Sequence, residues 1–412
     1  MPDVSARRAL EALRAGVPNR DVVRLLPPAQ ADIVGQFAKL LRDTTQNWVY
    51  ERQAEGLLLA GEFGTGKTHW LEYFRHEAME GNFVCSTVVL NKETPLYDLR
   101  KIFRACVESA VAPGKHGPAL EEIAFTFKAE NNPNYREFDE WIHGLPPEQN
   151  RIAASLHLFI KNSNEEVREK ILAEWIGYPM KVPEMRAALK EVGLDKMYSI
   201  TPIPKGLAQE LLRFEFISRF FRAAGYSGWV ILFDEMEMIS KYSLRQRARS
   251  YAHFAWLFGQ VKKTSAPGLA AVATITKDYT SQVLYGTRKD LTKLPVKLPG
   301  TRDEHYLPAT EAGMKVIKGN NLELRSPVSS EVEDIYRRVR EIYTTAYAWE
   351  APELTDRRAY LGAISMRQYI RSWINSWDLL RLYQYHGETV LEKVVQSYDE
   401  DSDMQQEDGE NE

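Results

Sequence analysis

One stretch constrains the fold of this chain more than any other: Gly61-Glu62-Phe63-Gly64-Thr65-Gly66-Lys67-Thr68. The apolar run before it, Gly56-Leu57-Leu58-Leu59-Ala60, predicts a buried strand. The residues after it, His69-Trp70-Leu71-Glu72-Tyr73-Phe74-Arg75, have the apolar spacing of a helix. Strand, G-x-x-x-x-G-K-[ST] loop and helix together make the pattern of a P-loop. Glycines let successive backbone N–H groups turn toward one anion, and the helix N-terminus adds partial positive charge. Residues Gly61 to Thr68, with His69, are thus the expected nucleotide-binding set. Lys67 would reach the β- and γ-phosphates, and the Thr68 hydroxyl would ligate Mg²⁺.

A second element completes this chemistry. The helix expected at about 207–224 leads into Trp229-Val230-Ile231-Leu232-Phe233-Asp234-Glu235, an apolar strand ending in two acids. Taken alone, such an ending also suits a helix N-cap. Downstream of a full P-loop it reads as the Walker B strand. Asp234 would hold the Mg²⁺ shell, and Glu235 would orient and deprotonate the attacking water. A further buried strand, Leu269 to Thr276, ends in hydroxyls that could sense the γ-phosphate between the two Walker elements. Thr276 or Thr274 would fill that role. No base-reading N-K-x-D motif occurs, which leans toward ATP over GTP.

The rest of the chain arranges itself around this core. Short amphipathic helices are expected at 5–16, from about 19 to Pro27-Pro28, and at about 30–44. Asn82 to Leu90 predicts a second buried strand, so the pattern is α/β with a parallel sheet. From Leu96 to Pro204 charged and aromatic residues recur at helical spacing over a length too great for a loop, which predicts a helical insertion. Lys241 to Gly259 predicts an amphipathic helix with Arg245, Arg247 and Arg249 on a basic face, either solvated or touching DNA or a neighbouring subunit. Arg288 and Arg302, in a Gly/Pro-containing basic loop, are arginine-finger candidates. A short strand, Asn321-Leu322-Glu323-Leu324, precedes a capping box at Ser330-Glu331-Val332-Glu333. The last long helix carries Met366, Tyr369, Ile370, Trp373, Ile374 and Trp377 as a core stripe. Arg367 and Arg371 lie off it, where a helical lid could present one to the γ-phosphate.

The fold class expected is therefore a P-loop NTPase, an AAA+-like α/β parallel sheet with helices on both faces, a helical insertion and a C-terminal helical lid. The division is 1–48, an N-terminal helical segment; 49–97, the P-loop half of the core; 98–205, the insertion; 206–326, the Walker B and sensor half; 327–398, the lid; and 399–412, an acidic tail.

Charge and composition bound the partners. The net charge is −4, yet residues 399–412 hold eight acids and no Lys or Arg, so the rest of the chain stands at +4. A tail of that composition cannot bury a core and is expected to be disordered. No apolar run approaches the roughly 18 residues that span a bilayer, and no apolar signal core follows the N-terminus. The two cysteines, Cys85 and Cys106, have no metal-ligand spacing and fit reduced thiols of a cytoplasmic protein.

Several phrases resemble the P-loop ATP-binding proteins of BREX phage-defence systems. They are Ala9 through Asp21 with Ala-Leu-Arg-Ala-Gly-Val-Pro-Asn-Arg-Asp within it, Gly61 through Tyr73, Asn82-Phe83-Val84, and Trp229 to Glu237. The likeness is to the BrxD type more than to the longer BrxC type, within AAA+ ATPases of the origin-recognition and helicase-loader branch. The resemblance implies a bacterial, cytoplasmic ATPase working beside a helicase on DNA. It carries over Lys67, Thr68, Asp234 and Glu235 and says nothing about 98–205. The expected function is an oligomeric ATPase that couples hydrolysis to DNA engagement or helicase loading. The alternative is a nucleotide-dependent switch or scaffold with little turnover and no DNA contact. A metabolic kinase would need a phosphoacceptor site, and none is visible.

Overall fold

The computed structural model describes residues 3–203, 206–261, 264–319, 321–354 and 366–384. The acidic tail 399–412 lies outside them, as do 355–365 and 385–398 of the C-terminal region.

The fold is α/β, built on five parallel strands: β1 (Leu57–Gly61), β2 (Val84–Val89), β3 (Trp229–Asp234), β4 (Leu269–Thr276) and the short β5 (Leu322–Glu323). Their order across the sheet is β2-β3-β4-β1-β5. β4 thus stands between the strand that feeds the P-loop and the strand that ends in Asp234. Both faces are covered, so these strands read as continuous apolar runs rather than alternating ones. The alternation survives in what each side chain meets. Ile231, Phe233 and Ala273 join one apolar cluster, whereas Val230, Leu232 and Val272 join another.

Helices precede, interrupt and follow this sheet in chain order. α1 (Val4–Ala15), α2 (Arg20–Leu25) and α3 (Ala31–Gln46) lead; α4 (Lys67–Glu80) follows the P-loop; α5 (Leu99–Glu108) follows β2. The stretch expected to be a helical insertion is helical: α6 (Ala119–Thr126), α7 (Pro133–His143), α8 (Asn150–Lys161), α9 (Glu165–Ile176) and α10 (Val182–Glu191). It shares the large apolar cluster of one sheet face through Phe138, Phe159 and Trp175. A buried ion pair, Arg151 to Glu174 at 2.7 Å, ties α8 to α9. α11 (Leu207–Ala223) and α12 (Leu244–Leu257) complete that face. α13 (Asp290–Lys297) and α14 (Leu307–Lys318) follow β4, and α14 packs along α12. α3 and α4 cover the opposite face, with Phe37 stacked on Phe74.

A separate apolar cluster joins the two ends of the chain. Ala9, Leu10 and Leu13 of α1 pack with residues of α15 (Ser329–Tyr347) and α16 (Met366–Tyr383), among them Tyr336, Tyr343, Trp373 and Trp377. Polar contacts fix the join. Asp378 accepts from Arg14 and from the Tyr343 hydroxyl, each at 2.8 Å. Arg371 donates to the carbonyl of Arg14 at 3.0 Å and to that of Ala15, satisfying backbone acceptors left open at the α1 terminus.

Three local expectations shift. The capping glutamate of α15 is Glu331, which accepts from the Val328 N–H at 3.0 Å, so Ser330 and Glu333 lie inside the helix. Glu331 also grips the Arg325 guanidinium with both carboxylate oxygens, and that second partner favours the earlier register. The strand expected at 321–324 pairs only over Leu322–Glu323. The Gln30 side chain, donating to Glu323 O and accepting from Arg325 N, both at 3.1 Å, stands in for a further strand there. The arginines of α12 do not form an open basic face. Arg247 is buried against Asp290 at 2.9 Å, and Arg245 and Arg249 converge on Asp303 at 2.8 and 2.9 Å. Among the described residues no helix is long and apolar enough to cross a membrane.

Candidate functional site: the P-loop cavity

The chain from β1 to α4 turns tightly enough to expose its backbone N–H groups. Gly61 has no room for a side chain, since a Cβ there would stand 2.5 Å from Thr65 Oγ1. Gly66 holds φ +91°, a left-handed conformation that only glycine adopts readily, and it starts α4. Thr65 closes the turn by donating from Oγ1 to Glu62 O at 2.8 Å. Glu62 itself and Phe63 are exposed.

Beyond this loop opens a cavity of about 640 Å³, within the ordinary size range of small-molecule sites. Its floor is Phe63 through Trp70 together with Glu235. One wall comes from α1 and α2 and the turn after them (Leu13, Val22, Leu26, Pro27). The other comes from α15 and α16 (Ile335, Ile370). The wall from α1 and α2 is largely apolar, as suits a base, whereas the wall from α15 and α16 mixes Ile335 and Ile370 with Glu331, Asp334 and Arg338. Three arginines line it: Arg325, Arg338 and Arg367. Arg367 was named from sequence; the other two were not.

At the floor the two acidic and hydroxylic elements meet. The Thr68 hydroxyl donates to Asp234 Oδ2 at 2.8 Å, and the Thr274 hydroxyl donates to Asp234 Oδ1. The sheet register pairs Phe233 with Ala273, which places Asp234 beside Thr274. Thr276, two residues on, is buried in register with Gly61 instead. So the hydroxyl that meets Asp234 is that of Thr274. Asp234 and Thr68 are hard oxygen donors of the kind Mg²⁺ takes, and the set fits that ion.

Lys67 points back into the protein. Its Nζ donates to Gly61 O at 3.3 Å and stands 3.5 Å from Glu237 Oε1. Glu237 was not singled out from sequence, although it is the third acid of Asp234-Glu235-Met236-Glu237. A 3₁₀ turn, Met236–Lys241, folds it back under the loop. Glu235 sits at φ +63°, ψ +41°, a left-handed conformation uncommon for a residue with a side chain. Burial, and then the charges of Glu237 and Asp234, push its carboxyl up to about 7. A carboxylate poised there is suited to taking a proton at neutral pH.

His69 ties the loop to the wall. Its Nε2–H donates to Leu26 O at 2.9 Å, and burial pulls its imidazole down to about 4, so it is neutral. Arg371 is occupied at the α1 terminus, which leaves Arg367 as the arginine of that pair facing the cavity. Arg288 is half-buried in the turn between Gly286 and Asp290, and neither it nor Arg302 lines this cavity.

A P-loop, an acid-tipped strand one place removed in the sheet, and the parallel sheet that holds them together define a P-loop nucleotide-binding protein. A family model for the BREX system ATP-binding protein BrxC/D matches residues 3–132 and 208–372. The chain belongs to that family, an ATP-binding family of phage-defence systems. No curated protein and no solved structure matches it.

Proposed function

We propose that this chain is a Mg²⁺-dependent ATPase of the AAA+ type, in its origin-recognition and helicase-loader branch, that couples hydrolysis to DNA engagement or helicase loading in BREX defence. The observation that carries the reading is the joining of Thr68, Asp234 and Thr274 by hydrogen bonds beside Lys67 and Glu235.

In this reading the N–H groups of residues 64–68 hold the phosphates, and Lys67 leaves Glu237 to pair with the β- and γ-oxygens. Thr68 and Asp234 would hold Mg²⁺, which when bound would supply charge stabilisation for the phosphoryl group. Glu235 takes the proton of the attacking water, with Thr276 or Thr274 helping to place it. Arg367 reaches the phosphates from a lid of residues 327–398, to which α1 and α2 are packed. The chain acts in the cytoplasm as a homo-oligomer beside a helicase or other defence protein, and Arg288 or Arg302 enters a neighbour's site.

The second reading, a nucleotide-dependent switch that binds protein partners, gains from the α12 arginines. Their charges are matched internally by Asp290 and Asp303. Turnover measured with and without duplex and single-stranded DNA, across a salt series, tests the choice. A DNA-raised rate and a DNA affinity that falls steeply with salt support the ATPase on DNA. ATP binding with negligible turnover and no DNA affinity replaces it with the switch.

A further inference from the structure

The helical insertion carries a cluster that the nucleotide site does not use. Asp139 and His143 lie one turn apart on α7, four residues being the spacing that brings side chains onto one face. His157 faces them from α8. One nitrogen from each imidazole and one Asp139 carboxylate oxygen lie within 4.8 Å of one another.

Each imidazole has one nitrogen held by an oxygen outside the Asp139 carboxylate, a feature that metal-ligating imidazoles share. His157 has Nε2 at 2.6 Å from Asp139 Oδ1, while its Nδ1 is hydrogen-bonded to the Tyr198 hydroxyl. His143 donates from Nδ1 to the Asp139 backbone carbonyl at 2.8 Å, which leaves Nε2 as an acceptor. Imidazoles that bind metal ordinarily donate their other ring N–H to a carbonyl, hydroxyl or carboxylate, which fixes the tautomer and aims the lone pair. An Asp139–His157–Tyr198 hydrogen-bond relay would account for His157 alone. It gives no role to His143, whose ring stands 5.1 Å from that of His157.

We propose that Asp139, His143 and His157 bind a divalent transition-metal ion of the zinc class, with a water in the fourth position. Two imidazoles and one carboxylate favour such an ion over Mg²⁺, which prefers all-oxygen surroundings. Bond lengths of about 2.0–2.2 Å put tetrahedral donors about 3.4 Å apart. To reach that spacing the His157–Asp139 pair, now 2.6 Å apart, must open and the wider separations must close, both by side-chain rotation. His157 is 12% exposed and His143 45%, so the ion enters from the His143 side and clamps α7 to α8. All four residues, Tyr198 included, fall between the two segments that the family model matches. The site is thus an addition to the ATP-binding scaffold and does not depend on the proposed hydrolysis.

The test uses the full untagged chain, stripped with chelator and free of nucleotide, titrated with Zn²⁺ against a chromophoric competitor. The expected result is one tight equivalent, lowered more than about 100-fold in His143→Gln and about 10- to 100-fold in Tyr198→Phe. Asp234→Asn should keep that equivalent, which separates the site from the P-loop. His143 is exposed, so metal-free His143→Gln should melt where metal-free wild type does, and Zn²⁺ should raise only the wild type. Equal Zn²⁺ affinity in wild type and His143→Gln would overturn the proposal, as would loss of the equivalent in Asp234→Asn.

Discussion

Lys67 and Glu237 form an ion pair at the floor of the cavity, with Nζ 3.5 Å from Oε1 and the side chains only 8% and 2% exposed. The pair holds the P-loop lysine away from the place a triphosphate would occupy, and Glu237 Oε2 is buried without a hydrogen-bond partner among the described residues. Its attraction is set against the cost of desolvating both charges, so it is a modest source of stability. In the proposed reading Lys67 exchanges Glu237 for phosphate oxygens when ATP binds. Glu237→Gln should therefore bind ATP more tightly, by about 10-fold, or about 1.4 kcal/mol. The same variant should lower the nucleotide-free melting temperature. Isothermal titration and thermal melting read both effects. Weaker ATP binding by a folded variant would contradict this account of the pair.

In the proposed reading Mg²⁺ sits where Thr68 meets Asp234. In wild type, removing Mg²⁺ with chelator should weaken ATP binding and stop turnover. In Asp234→Asn, binding with Mg²⁺ and with chelator should agree within about two-fold, because the ion's main anionic partner is gone. An unchanged Mg²⁺ dependence in that variant would place the ion elsewhere.

Arg247 belongs to the core. It donates to both oxygens of Asp290, and Asp290 also accepts from the Tyr251 hydroxyl at 2.8 Å. Breaking a buried pair by removing one partner costs about 3–5 kcal/mol. Arg247→Met should show a loss of that order in urea unfolding, whatever its effect on DNA binding. A stability change below about 1 kcal/mol would return this arginine to the surface role its sequence position suggested.

His253 sets a pH dependence of stability. Burial pulls its imidazole down to about 4, despite the hydrogen bond from Nδ1–H to Leu96 O at 2.8 Å. The unfolded chain has the ordinary value near 6.5. Unfolded molecules thus bind the proton first as pH falls. Stability is complete above about pH 6.5 and declines toward pH 4, by about 2 kcal/mol at pH 5. His253→Gln keeps a donor for Leu96 and should remove that share of the decline, read as the difference between the two pH–stability curves. Parallel curves would refute it.

Legibility in the sequence followed contiguity. The P-loop and the Asp234-Glu235 strand end could be read because each packs its chemistry into a few consecutive residues. The choice between Thr274 and Thr276 could not be made, since residues two apart share one face of a strand. Only the register of β3 against β4 separates them. Glu237 escaped notice because its nearness to Lys67 depends on the left-handed turn at Glu235 and the 3₁₀ turn after it. The α12 arginines read as a basic face because their partners, Asp290 and Asp303, lie some 40 to 60 residues downstream. The cavity walls combine the first 30 residues with helices more than 300 residues later, a pairing that local periodicity does not encode.

The most direct test of the central claim is ATP hydrolysis by wild type and by Glu235→Gln, measured beside ATP binding by each. Loss of a positioned general base costs about 10²- to 10⁴-fold in rate. The account predicts a wild type that turns over and a Gln variant that binds ATP with similar affinity while hydrolysing it at least about 100-fold more slowly. Equal turnover by the two proteins would contradict it.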